Sequence, residues 1–190
     1  MKTKLLMTAS ALAAATLLAA CADRVPMAGK AMFSQEALPE AVKVPAGFKV
    51  AMETVGVGEI TYECRAKTTV AGEFEWVFVG PKAVLNDRSG KAVGKYYGPP
   101  ATWEAMDGSK ITATQLAVAP AGAGNIPLQL VKANAAMGAG MLTGMLTGIT
   151  HIQRLATRGG TAPGMPCAAA SMGQKQVVNY QADYIFWKAA

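Results

Sequence analysis

From Phe48 to Trp187 apolar residues recur at every second position, and glycine, proline, aspartate or asparagine interrupts them roughly every 8 to 12 residues. A period of two belongs to strands with one buried face, so the pattern predicts about eight or more short antiparallel strands. In EFEWVFVG, Phe74, Trp76 and Phe78 share one face while Val77 and Val79 partly bury the other, which predicts a strand in the middle of a sheet. In NYQADYIFWK, Tyr180, Ala182, Tyr184 and Phe186 alternate with Gln181, Asp183 and Ile185, leaving one strongly apolar face to be covered. Two packed sheets or a closed barrel would cover it. Asp107-Gly108 has the chemistry of a tight hairpin turn between two strands, and LNDRSGKAV offers a second turn. The expected fold is therefore all-β: one β-sandwich or barrel-like domain.

One stretch departs from this rhythm. ANAAMGAGMLTGMLTGI, residues 133 to 149, has no charge and spaces Gly140, Gly144 and Gly148 like the small-residue face of a membrane helix. It is shorter than the roughly 20 apolar residues a span needs and rich in glycine, so it is read as a glycine-rich loop leading into a buried strand. GMLTGMLT is then a local duplication.

The amino terminus has its own logic. Lys2 and Lys4 precede LLMTASALAAATLLAA, the arrangement of an export signal, and Leu18-Ala19-Ala20-Cys21 resembles the bacterial lipobox. Residues 1–20 are expected to be a lipoprotein signal peptide, with Cys21 acylated and the protein held on a membrane by that lipid. Ala22 follows the cysteine where lipoproteins of the inner membrane often carry Asp, which favours the outer membrane and a periplasm-facing domain. Residues 21–47, with Pro26, Pro39 and Pro45 and little periodicity, read as the acylated terminus and tether. Residues 48–190 remain as the all-β domain.

Charge narrows the partners. The chain carries +6, or +4 without Lys2 and Lys4, and has no block of like charges, so no nucleic-acid partner is expected. With Cys21 lipidated, Cys64 and Cys167 are left to pair in an oxidising compartment, closing the domain with one disulfide.

Candidate chemistry is thin. His151 is the sole histidine, and there is no GxSxG, HExxH, CxxC or P-loop, so no catalytic residue, metal or cofactor is assigned. Arg154 and Arg158 stand four apart, which on a regular strand places both on one face. With Thr157, Gly159 and Gly160 they would form an anion pocket; otherwise Arg154 serves a carboxylate or strand-end carbonyl and Arg158 is solvated. Met137, Met141 and Met145 have the softness for copper(I), but their glycines disfavour a helix and methionine usually fills cores. Tyr96, Tyr97, Trp103 and Glu104, with Asp107 nearby, concentrate aromatic and acidic groups on an expected loop, as a ligand or glycan cleft would.

Five blocks carry a family likeness: GVGEITYEC, EWVFVGPKAVL, YYGPPATWEAMDGSKI, NIPLQL and ITHIQRLATRGGTAPGMPC. In order and spacing they resemble domain-of-unknown-function family 3455, found in secreted bacterial and fungal proteins, over nearly the whole mature domain. The resemblance implies architecture and export, and no activity. Some fungal relatives carry a dehydrogenase label, yet none of the glycine clusters here is a GxGxxG between strand and helix. The family pattern places a histidine ahead of the Gly-Pro block where this chain has Lys95-Tyr96-Tyr97, so histidine chemistry is not expected there. The expectation is an envelope lipoprotein acting as a non-catalytic binding or structural module toward a glycan or protein. The alternative is a hydrolase of an envelope glycan or small ester.

Overall fold

A computed structural model describes residues 33–138 and 143–190. The signal segment, Cys21, Met141 and the first part of the tether lie outside the described residues. Eight strands run β1 (Phe48–Ala66), β2 (Phe74–Asn86), β3 (Ala92–Tyr97), β4 (Thr102–Ala105), β5 (Lys110–Ala119), β6 (Leu128–Ala133), β7 (Ile149–Gly159) and β8 (Lys175–Ala189). Each pairs antiparallel with its sequence neighbour, and β8 pairs back to β1, so the sheet closes into a barrel. The all-β expectation holds, and of its two forms the barrel is the one adopted. Closure pairs the first strand with the last, so neither is left as the free edge that a sandwich would have. Among the described residues no helix is long and apolar enough to cross a membrane.

The alternation seen in the sequence becomes inside and outside. Tyr180, Ala182, Tyr184 and Phe186 on β8 point inward with Ile60, Leu85, Tyr96, Trp103, Ile111 and Ile152. Gly56 makes this possible, because a Cβ there would lie 2.6 Å from the Tyr184 ring. The hairpin turns fall where the sequence places them, at 87–91 and 106–109, and Gly90 and Gly108 take the positive φ those turns need. The glycine-rich stretch ends as a turn before β7, and its Leu146 is fully buried in the barrel core. Leu146 therefore plugs the end of the barrel that carries the 87–91, 106–109 and 134–148 connections.

The opposite end is built unevenly. The β2–β3 ladder covers only Lys82–Asn86, and the β4–β5 ladder stops at Thr102↔Thr112. Residues 74–79 of β2 and 113–119 of β5 thus extend past the β3 and β4 ladders, and Gly80 lies against Gly98 in the β3–β4 turn. On the far side, Cys64 and Cys167 are joined with their Cα atoms 5.5 Å apart, tying the β7–β8 connection to the β1–β2 hairpin. The Trp76 indole adds a hydrogen bond to Met165 O at 2.9 Å.

The segment before β1 joins the fold. The compact unit begins at Phe33 and not at Phe48. Phe33, Leu38, Val42 and Val44 form a strap that packs outside the barrel on Ala119, Leu130, Leu155, Ile185 and Trp187. Beneath it Gln153 is fully buried; it accepts from Trp187 Nε1 at 2.9 Å and donates to Val42 O at 2.6 Å. Gln35 meets the backbone of Val44 from both ends of its amide, at 2.8 and 2.9 Å. The strap docks by scattered apolar side chains and side-chain amides, which leave no periodic trace in sequence.

Candidate functional site

Consecutive residues on a strand face opposite ways, and this splits the aromatic and acidic group that the sequence suggested as one cleft. Tyr96 and Trp103 point into the barrel, stacked at 4.7 Å between ring centroids, with Tyr184 closing the cluster at 5.1 and 5.9 Å. Tyr97 and Glu104 lie outside. The Tyr97 hydroxyl donates to Glu104 Oε2 at 2.8 Å, while Lys95 and Lys110, its partners across the ladders, reach the same carboxylate at 3.2 and 3.3 Å. That phenol first, then the two ammonium groups, hold the Glu104 carboxyl below the usual carboxylate range. An ionised, triply satisfied carboxylate is a cross-strand brace and a poor proton donor.

The two arginines also part. A bulge between Leu155 and Arg158, with Ala156 at φ 46°, shifts the register, so Arg154 stands opposite Tyr184 and Arg158 opposite Gln181. Arg154 faces inward and Arg158 outward; the expected shared face does not form. Arg154 donates from Nε and Nη2 to Pro127 O at 3.2 and 3.0 Å, a strand-end carbonyl. Its charge acts on four interior phenols, Tyr62, Tyr96, Tyr180 and Tyr184, whose pKa values burial raises and Arg154 partly lowers. These phenols are neutral donors at any physiological pH. Tyr62 donates to Gly160 O at 2.8 Å, and the Tyr180 and Tyr184 hydroxyls are 3.2 Å apart.

Arg158 instead joins an outer groove of about 1060 Å³ across β8, β1, β2 and β3, with Val57, Glu59, Lys82, Val84 and Tyr97 among its lining. Val57 and Val84 are direct cross-strand partners, and both remain about half exposed. Lys82 and Arg158 have no ion-pair partner among the described residues. Val57, Lys82 and Val84 carry no signal in the sequence, because a groove formed across several strands has no local motif.

His151 sits at the plugged end, packed edge-on to Phe48 at 4.6 Å with Nδ1 3.1 Å from Thr150 Oγ1. Burial, then Lys132, depress its pKa, so the imidazole is neutral. The Thr150 hydroxyl is itself engaged, donating to Trp187 O at 3.2 Å. Asp107 does more than turn a hairpin: Oδ1 accepts from Ser109 N and Oγ at 3.0 and 2.6 Å, and Oδ2 accepts from Met145 N at 2.6 Å. Of the three spaced methionines, Met137 is exposed and bridges by backbone to Lys110, Met145 is exposed on the plug loop, and Met141 lies outside the described residues. Among the described residues no group of histidine, cysteine, aspartate and glutamate side chains could hold a metal ion.

A family model described as protein of unknown function (DUF3455) matches residues 45–188. No curated protein and no solved structure matches the chain.

Proposed function

We propose that the chain, which belongs to the DUF3455 family of proteins of unknown function, is a lipid-anchored module of the bacterial envelope that binds an envelope glycan without transforming it. One observation carries the reading: the outer groove sets the exposed Val57 and Val84 beside the unpaired cations Lys82 and Arg158. An apolar floor with a few charged groups is what a recognition surface requires. The hydrolase reading needs a carboxylate poised near neutral pH beside Tyr97 and Trp103. Instead Glu104 is held ionised, and Trp103 lies on the other side of the sheet.

The anchor rests on the lipobox-like Leu18-Ala19-Ala20-Cys21. The test takes the full chain in two forms, wild type and Lys82→Glu/Arg158→Glu, and sediments each with isolated cell-wall sacculi. Wild type is expected to pellet and the charge-reversed variant to stay in the supernatant with its melting temperature unchanged. Equal pelleting, or none by either, overturns the reading. Cys21→Ser is expected to move the protein from the membrane to the soluble fraction, because the acyl group is the one hydrophobic anchor assigned.

A further inference from the structure

The interior toward the uneven end has a composition that packing alone does not require. By register, Phe78 shares the inward face with Tyr62, and the two rings meet edge-on at 6.1 Å. Yet Phe78 is 51% exposed. On β5 and β6, Val118 lies opposite Gln129, and Gln129 lies opposite the inward-facing Arg154. Val118 is 46% exposed, and Arg154 is only partly buried. Side chains that point inward and still meet solvent define an open mouth, set where β2 and β5 extend past the β3 and β4 ladders.

Below that mouth Arg154 and the Trp103 indole offer N–H donors, and the inward-facing Gln129 spends its own N–H on Gln115 Oε1. The guanidinium of Arg154 has five N–H groups, and Nε and Nη2 both donate to the one carbonyl of Pro127. It has no carboxylate within 4 Å among the described residues. The Trp103 indole N–H, in the ring cluster with Tyr96 and Tyr184, is the one buried side-chain polar atom without a partner among the described residues, at 3% residue exposure. An orphaned buried donor costs roughly 1 to 3 kcal/mol unless something accepts from it. A cation is repelled by Arg154, and a ligand without an acceptor leaves the donors unpaired. The exposed Phe78 and Val118 ask for an apolar body.

We propose that this mouth binds a small amphipathic monocarboxylate, its carboxylate directed at Arg154 and the Trp103 indole and its apolar tail against Phe78 and Val118. The site is separate from the outer groove, since Arg154 and Arg158 lie on opposite faces of β7.

Octanoate is the probe, with octanol and acetate as partners lacking the charge and the tail. In a ¹H–¹⁵N spectrum of the purified full chain, the three indole signals report separately, because Trp76 and Trp187 already have acceptors in Met165 O and Gln153 Oε1. Octanoate is expected to shift the Trp103 signal saturably and leave the other two in place, with octanol and acetate each at least about tenfold weaker. Arg154→Gln is expected to weaken octanoate at least about tenfold and to leave octanol unchanged. Because Arg154 also supports Pro127, Phe78→Asp at the exposed lip is the second variant; it keeps the fold and repels the carboxylate. Absence of a saturable Trp103 shift, equal response to octanol, or octanoate binding undiminished in Phe78→Asp overturns the proposal. Sacculus binding through Lys82 and Arg158 is unaffected by either result.

Discussion

Asp107 shows how much one side chain can do beyond its local motif. Its carboxylate gathers two donors from Ser109 and one from Met145, and so fastens the plug loop to the β4–β5 turn. Those hydrogen bonds, Ser109 Oγ foremost, hold its pKa below the usual carboxylate range. Asparagine offers one oxygen and no charge, so Asp107→Asn is expected to cost about 1 kcal/mol at neutral pH, discounted for exposure. A carboxyl with a depressed folded pKa stabilises the fold fully above its unfolded pKa, and that contribution is lost as pH falls through the folded value. Urea titrations of wild type and Asp107→Asn should therefore differ at neutral pH and converge in acid below the ordinary carboxylate range. A gap that persists there refutes the assignment. The Asp-Gly pair was readable as a turn; the reach to Met145 was not, because the two residues meet only when β6 and β7 close the barrel.

At the scale of elements the strap is the main departure from the sequence pattern. It turns the outer faces of β7 and β8 into a second core, so that Ile185 and Trp187 are buried on one side while Tyr184 and Phe186 are buried on the other. Gln153 is the polar bolt between the two layers. Gln153→Leu keeps the volume but leaves Trp187 Nε1 and Val42 O buried without partners, with an expected loss of roughly 2 to 4 kcal/mol in chemical denaturation. Adding Trp187→Phe removes one orphaned donor and should return part of that loss. A Gln153→Leu variant as stable as wild type would mean that the strap is not docked as described. The β7 bulge is the other departure. A single residue at positive φ sends Arg158 to the opposite side from Arg154, and neither Ala156 nor its neighbours announces such a bend.

For the whole molecule, the Cys64–Cys167 bond spans 103 residues and links the first barrel strand to the connection before the last. In the chain-entropy model a loop of that length is worth roughly 4 to 5 kcal/mol, acting through the unfolded state. Cys64→Ala/Cys167→Ala should lower stability by about that amount in guanidinium titrations while retaining the β-sheet circular dichroism of the native barrel. A much smaller loss would mean that the unfolded chain is already compact without the bond. Closure also decides what is accessible. An eight-stranded barrel has an interior that side chains can fill, and here Leu146 enters it from the β6–β7 connection while Tyr62 and Ile126 are buried toward the other end.

The sequence by itself determined the strands, their inward faces, the two hairpin turns and the cysteine pair, because a period of two, Asp-Gly chemistry and thiol pairing act through near neighbours or through the compartment. Only the tertiary structure decided that the strands close into a barrel, that residues 33–44 cover its outside, that a bulge separates Arg154 from Arg158, and that Val57 and Val84 share a groove with Lys82 and Arg158. Each of these depends on strand register and sheet curvature, which accumulate over many residues, and a one-residue shift in register exchanges the inner and outer faces without changing a single letter of the chain.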